Sequence, residues 1–295
     1  MHDDEIDIDV DLVTALLAAQ FPLLAGRRIT EVRSTGTVNA IYRLGDDLCV
    51  RLPRTPGWAA SLDREWRWLP QLAPQLSLQI PEPVGQGRPD DTYPYPWAVY
   101  RWLDGVPYAD ELVAGEAQAG RDLAQFVLEL RRIDTEGGPA AGRRPLAELD
   151  VDTRRAIMAG RGVIDSEAAL AAWERALRAP VWSGAQVWIH TDLLRPNVLV
   201  AGGRISAVID FGGAGIGDPA ADVIAAWSVF GRTGQEVFRE CLQVDDGTWA
   251  RARGYALHQA AAIIPYYPDT NPGFVTLAKR TVERVLTDLS DSGRL

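Results

Sequence analysis

Lysine is nearly missing from this chain of 295 residues: of its 30 basic residues only Lys279 is a lysine, and the rest are arginine. Any cation that a site requires earlier in the chain must therefore be an arginine. Cysteine is scarce too. Cys49 and Cys241 lie far apart, with no Cys-x-x-Cys or Cys/His spacing, which excludes a disulfide framework and a zinc site. The first residues, Met1-His2-Asp3-Asp4-Glu5, are acidic and lack the positive start and apolar core of a signal peptide. No apolar run approaches the ~18–20 residues that cross a bilayer, so a cytoplasmic protein is expected. The net charge of −10 lacks the basic footprint of nucleic-acid binding. It suits a small-molecule partner, a cationic one included, and equally suits plain solubility.

The patterning that is present changes character partway along. Val10, Val13, Leu16 and Leu17 fall at helical spacing within residues 8–20. From Ile29 to Leu52, short β-rich runs punctuated by Gly36 and Gly45-Asp46-Asp47 predict three antiparallel strands. A helix is predicted over 59–73, carrying Leu62, Trp66, Leu69 and Leu72; the prolines at 81–96 break that pattern, and Trp97–Leu103 reads as a strand. Beyond the turn Asp104-Gly105-Val106-Pro107 the chain turns helical, with helices predicted over 115–133, 165–178, 219–231, 234–242, 247–264 and 272–290. The expected fold class is α+β, with a small β-rich lobe over 1–103 and a larger, mostly helical lobe over 104–295.

The chemistry is concentrated in Val187–Val200. There Asp192 follows His190 by two and Asn197 follows Asp192 by five. Two short strands, turned at Ala201-Gly202-Gly203-Arg204, then lead into Asp210-Phe211-Gly212. This is the spacing of a kinase catalytic loop followed by its second acidic residue. Such chemistry needs a carboxylate that takes the proton of an acceptor hydroxyl, the role expected of Asp192. It also needs a sparse set of oxygen ligands for magnesium on nucleotide phosphates, expected of Asn197 and Asp210. The competing reading is a buried hairpin with an asparagine turn. Downstream, Asp218 is placed to cap a helix beginning at Pro219, and Asp222 to accept backbone N–H bonds from the catalytic loop.

A phosphoryl-transfer site also needs a cation on the α/β-phosphates, held by a carboxylate. With no lysine before Lys279, Arg51 in Leu48–Arg54 is the candidate, and Glu65 in the following helix its partner. Ser34 and Thr37, around Gly36, either present hydroxyls to phosphate or form a simple hairpin turn. Arg101 and Leu103 are the candidates for the strand leading to the adenine or guanine. Trp58, Trp66, Trp68 and Trp102 read as packing residues. Tyr266, Tyr267 and Asp269 are candidates for contact with the acceptor, or ordinary groove structure.

Together these residues resemble the aminoglycoside phosphotransferase family, antibiotic and small-molecule kinases of the protein-kinase-like fold, over about Ile29 to Val285. The segment Val50-Arg51-Leu52-Pro53-Arg54 is similar to the arginine-bearing strand of macrolide kinases, whose relatives often use GTP. Thr191 stands where the family commonly has glycine. The resemblance implies a bilobal fold, magnesium with ATP or GTP as donor, and transfer to a hydroxyl of an aminoglycoside- or macrolide-like antibiotic. An amino-alcohol or sugar kinase and a nucleotide-binding scaffold are the alternatives. A protein acceptor is disfavoured: 213–221 hold no Ser, Thr or Tyr, and no Ala-Pro-Glu segment follows.

Overall fold

A computed structural model describes residues 6–32 and 39–291. The chain divides into two compact units, 1–105 with 207–212, and 106–206 with 213–295.

In the first unit, Asp9 caps helix α1 (Val10–Gln20) by accepting from Leu12 N at 2.8 Å. Five strands follow: β1 (Ile29–Glu31), β2 (Asn39–Leu44), β3 (Leu48–Pro53), and, after helix α2 (Pro56–Leu72), β4 (Pro83–Gly87) and β5 (Trp97–Arg101). They form an antiparallel sheet in the order β1-β2-β3-β5-β4. Alternation sends Ala40, Tyr42 and Leu44 of β2, with Leu48, Val50 and Leu52 of β3, into one core with Val13, Leu16 and Leu17 of α1. The residues between them, Asn39 and Arg51 included, face the other side. Strand β4 went unread in the sequence because Pro83 looked like punctuation. At that strand's first residue a proline is tolerated, and the register shifts just after it.

The second unit opens with β6 (Val106–Pro107), α3 (Glu116–Arg132), α4 (Asp150–Ala159) and α5 (Ser166–Leu177). Next come β7 (Val187–Ile189), β8 (Val198–Ala201), β9 (Arg204–Val208), whose last residues belong to the first unit, and β10 (Gly215–Gly217). Four helices complete it: α6 (Ala225–Ser228), α7 (Arg232–Leu242), α8 (Asp246–Tyr266) and α9 (Pro272–Asp291). The turn between β8 and β9 has Gly202 and Gly203 at positive φ. The continuous helix expected over 219–231 is instead a short 3₁₀ turn, Pro219–Ala221, and the four-residue α6. Its residues are buried on all sides, so no amphipathic period existed to mark its limits. Among the described residues no helix is long and apolar enough to cross a membrane.

Candidate active site

The loop bearing Asp192 leaves β7, which pairs antiparallel with β10 through Ile189 and Gly215. Its first peptide units are held by one buried carboxylate. Asp222 accepts from His190 N at 3.0 and 2.9 Å and from Thr191 N at 2.8 Å. Burial pushes the Asp222 carboxyl up, against the pull of His190, these N–H bonds and Arg131. Asp218 caps the 3₁₀ turn through Ala220 N at 2.9 Å and pairs with Arg251 at 2.7 Å. Thr191 adopts φ +76°, a left-handed conformation that glycine takes freely and a β-branched residue takes at a cost of about 1–2 kcal/mol. Further along, Ser228 Oγ donates to Leu193 O at 2.6 Å and Arg195 Nε to Val229 O at 2.9 Å, fixing the loop onto α6 and the chain after it.

The Asp192 carboxylate is gripped on both oxygens. Asn197 Nδ2 donates to Oδ2 at 2.6 Å and to the Asp192 carbonyl at 3.0 Å. Gln259 Nε2, from α8, donates to Oδ1. Because both partners of the Asn197 amide nitrogen only accept, Asn197 Oδ1 is the amide's acceptor atom, the one that could coordinate a cation. Gln259 also borders a small cavity whose lining mixes apolar residues, among them Leu194, Ile263 and Phe274, with Arg195, Ser228 and Thr281. Tyr266 is half exposed and meets Tyr267 edge-on at 4.5 Å, and Tyr267 meets Phe274 at 5.6 Å. Asp269 is exposed.

In the first unit, Arg51 lies at the centre of a polar cluster. Its Nη1 donates to Glu65 Oε2 at 2.7 Å, and its Nη2 is 3.8 Å from Asp210 Oδ1. With its amide oxygen turned toward Arg51, Asn39 accepts from Nε at 3.1 Å and Nη2 at 3.2 Å. Tyr100 donates to Glu65 Oε2 at 2.9 Å. Glu65 occupies a position in the apolar stripe of α2, with Leu62, Leu69 and Leu72, and its side chain is fully buried. A carboxylate there requires a cation, which Arg51 supplies. Burial is the largest influence and works to lower the Arg51 pKa, but Glu65, Tyr100 and Asp210 together outweigh it and drive the value upward. Asp210 itself adopts φ +69°, a conformation that aspartate tolerates.

Ser34 and Thr37 lie outside the described residues. Arg101 is exposed at the end of β5 and pairs with Glu82 at 3.3 Å, while Leu103 is half-buried just beyond it. Four residues of these clusters escaped the sequence reading: Asn39, Tyr100, Gln259 and Arg143. Arg143 donates to the Thr191 carbonyl and, at 3.0 Å, to Gln259 Oε1. Only strand register could have found Asn39 and Tyr100. Asn39 is two residues from the pairing partner of Arg51, and Tyr100 lies opposite Cys49 on the next strand.

No protein of curated function matches the chain in sequence. Among solved structures, the chain is similar to a GDP complex of a variant of aminoglycoside 2'-phosphotransferase-IIIa. The two are 19% identical with a TM-score of 0.76, over 96% of this chain and 99% of that one. It is also similar to a GDP and kanamycin complex of an APH(2") enzyme, at 19% identity and a TM-score of 0.74, over 94% and 98%. A third is macrolide 2'-phosphotransferase MphH from Brachybacterium faecium, at 23% identity and a TM-score of 0.60, over 92% and 98%. At these identities the likeness shows the fold, and it is the protein-kinase-like fold expected from the motif. The model of the phosphotransferase enzyme family, APH, matches residues 29–255. With three-quarters of its length inside that match, this chain belongs to the phosphotransferase enzyme family and is an enzyme that phosphorylates hydroxyl groups.

Proposed function

We propose that the chain moves the γ-phosphate of ATP or GTP to a hydroxyl of an antibiotic-like small molecule of the aminoglycoside or macrolide class. The observation that carries this reading is the Asp192 carboxylate, held on both oxygens at the head of a braced loop. In this reading the acceptor O–H bonds to a remaining lone pair of Asp192. Its proton passes to that carboxylate as the new P–O bond forms and the bond to the departing nucleoside diphosphate breaks. Arg51, fixed by Glu65, binds the donor's α/β-phosphates, and Ser34, Thr37, Arg101 and Leu103 complete the nucleotide site.

Asn197 and Asp210 would hold Mg²⁺, whose chemistry is to neutralise charge on the β- and γ-phosphates. The donor set fits that ion: one amide oxygen and one carboxylate are hard, sparse ligands, to be completed by phosphate and water. Among the described residues no group of three or more His, Cys, Asp or Glu side chains could hold a metal without them.

Retention of Asp192, Asn197 and Asp210 together argues against a scaffold, which needs none of them. The test is Mg-ATP and Mg-GTP turnover with kanamycin, erythromycin and amino alcohols as acceptors. Asp192→Ala should lower transfer by about a hundredfold or more while nucleotide still binds. A fully active Asp192→Ala enzyme would sink the assignment.

A further inference from the structure

The stretch 137–145, rich in Gly, Pro and Arg, reads in the sequence as a spacer between helices. Its backbone says otherwise. Ile216 N donates to Pro139 O at 2.7 Å, Ala141 N to Ile216 O at 3.0 Å, and Gly142 N to Gly213 O at 3.0 Å. Ala140 and Ile216 form a parallel bridge, so the stretch is an extra strap laid along β10. The fit leaves no room for side chains: a Cβ on Gly215 would lie 2.6 Å from Pro139 O, and one on Gly138 would lie 2.8 Å from Ile216.

The strap delivers Arg143. Its guanidinium packs 5.7 Å from the Tyr255 ring, and burial lowers its pKa, with Asp192 as the leading opposing influence. One nitrogen, Nη2, serves both the Thr191 carbonyl and Gln259 Oε1. The Gln259 amide thus has a donor-only partner at its oxygen and an acceptor-only partner at its nitrogen, so its orientation is forced. The strained Thr191 is thus held on both flanking peptides: Arg143 donates to its carbonyl, and Asp222 accepts from its N–H. A direct ion pair between Arg143 and Asp192 would occupy the carboxylate; the interposed neutral amide aims it instead.

We propose that Arg143, acting through Gln259 and the Thr191 carbonyl, is the positioning residue that orients Asp192. The inference rests on the reading of Asp192 as the proton acceptor. Arg143→Ala and Gln259→Leu should each lower kcat about tenfold to a hundredfold, in Mg-GTP or Mg-ATP turnover with kanamycin, erythromycin or water as acceptor. The nucleotide KM should stay within about twofold, and Arg143→Lys should recover part of the loss. Because the two residues form one chain of contacts, the double variant should be little worse than either single one. A crystal structure of Arg143→Ala should show the Asp192 carboxylate turned from its place between Asn197 and Gln259.

An unchanged kcat in Arg143→Ala, a parallel rise in nucleotide KM, or additive losses in the double variant would overturn the proposal while leaving phosphotransfer standing. Conversely, a wild-type enzyme inert toward every acceptor, with Asp192 displaced in Arg143→Ala, would overturn the phosphotransfer reading and keep the positioning role.

Discussion

The first unit commits a carboxylate, Glu65, to a fully buried position, and the whole polar cluster follows from that choice. Arg51→Ala would leave this charge without its cation and should destabilise the fold by about 3–5 kcal/mol, read by urea unfolding, as well as abolish nucleotide binding. Arg51→Lys should keep the charge but lose the fork that reaches Glu65 and Asn39 together, giving an intermediate loss. His258 offers a second test. Thr153 Oγ1 donates to Leu149 O, so its 2.7 Å contact with His258 Nδ1 requires that nitrogen to carry the proton of a neutral ring. Burial, with Arg143 and Arg144 nearby, lowers the His258 pKa from 6.5 to about 4. Between those values the unfolded chain binds a proton that the folded chain refuses. Stability from this group is therefore complete above pH 6.5 and falls by about 3 kcal/mol as pH drops to 4. His258→Asn should flatten the pH dependence of unfolding over that window; an unaltered slope would refute it. Of the residues in these clusters, those marked by motif or by charge were legible in the sequence. Glu65 was readable as the carboxylate that a phosphate-binding arginine requires, and Asp222 because a buried carboxylate must find donors. Gln259 and Arg143 were not, because nothing local distinguishes a glutamine on a helix, or an arginine in a Gly/Pro-rich stretch, from its solvated counterparts.

At the scale of elements, periodicity succeeded where one face is wet and failed where none is. Helix α1 and strands β2 and β3 alternate between core and surface; α1 (Val10–Gln20) and β3 (Leu48–Pro53) end close to the limits predicted, and β2 is one of the three strands expected between Ile29 and Leu52. Helix α4 was overlooked: it buries only Thr153 and Ile157, while Val151 and Met158 are exposed among four charged residues, so no single apolar face marks it. Helices α3 and α7 meet at paired glycines that no pattern reveals. A Cβ on Gly120 would lie 2.8 Å from Gly234 O, and one on Gly234 would lie 2.8 Å from Glu116 and 2.9 Å from Phe230. Alanine at position 120 is the better helix former, yet Gly120→Ala should destabilise the protein by about 1–3 kcal/mol because the helices must part. A thermal melt that rose instead would show that the helices can move apart freely.

At the scale of the whole molecule, the proposed donor site exists only in the folded chain. Bound Mg-nucleotide should therefore raise the melting temperature, by an amount equivalent to about 2.7 kcal/mol at a hundred times its Kd. EDTA should remove most of that gain, since Asn197 and Asp210, the two proposed ligands, are too few to retain the ion by themselves. An equal shift with and without EDTA would count against Asn197 and Asp210 as metal ligands. The choice of Arg51 over lysine also decides how the enzyme meets chemical probes. Acyl-phosphate nucleotide analogues mark ATP sites by acylating an amine beside the phosphates, and no amine stands next to Glu65. The chain's one lysine, Lys279, lies on α9, so such reagents should leave the donor site unlabelled, whereas an arginine-selective dicarbonyl such as phenylglyoxal should inactivate it.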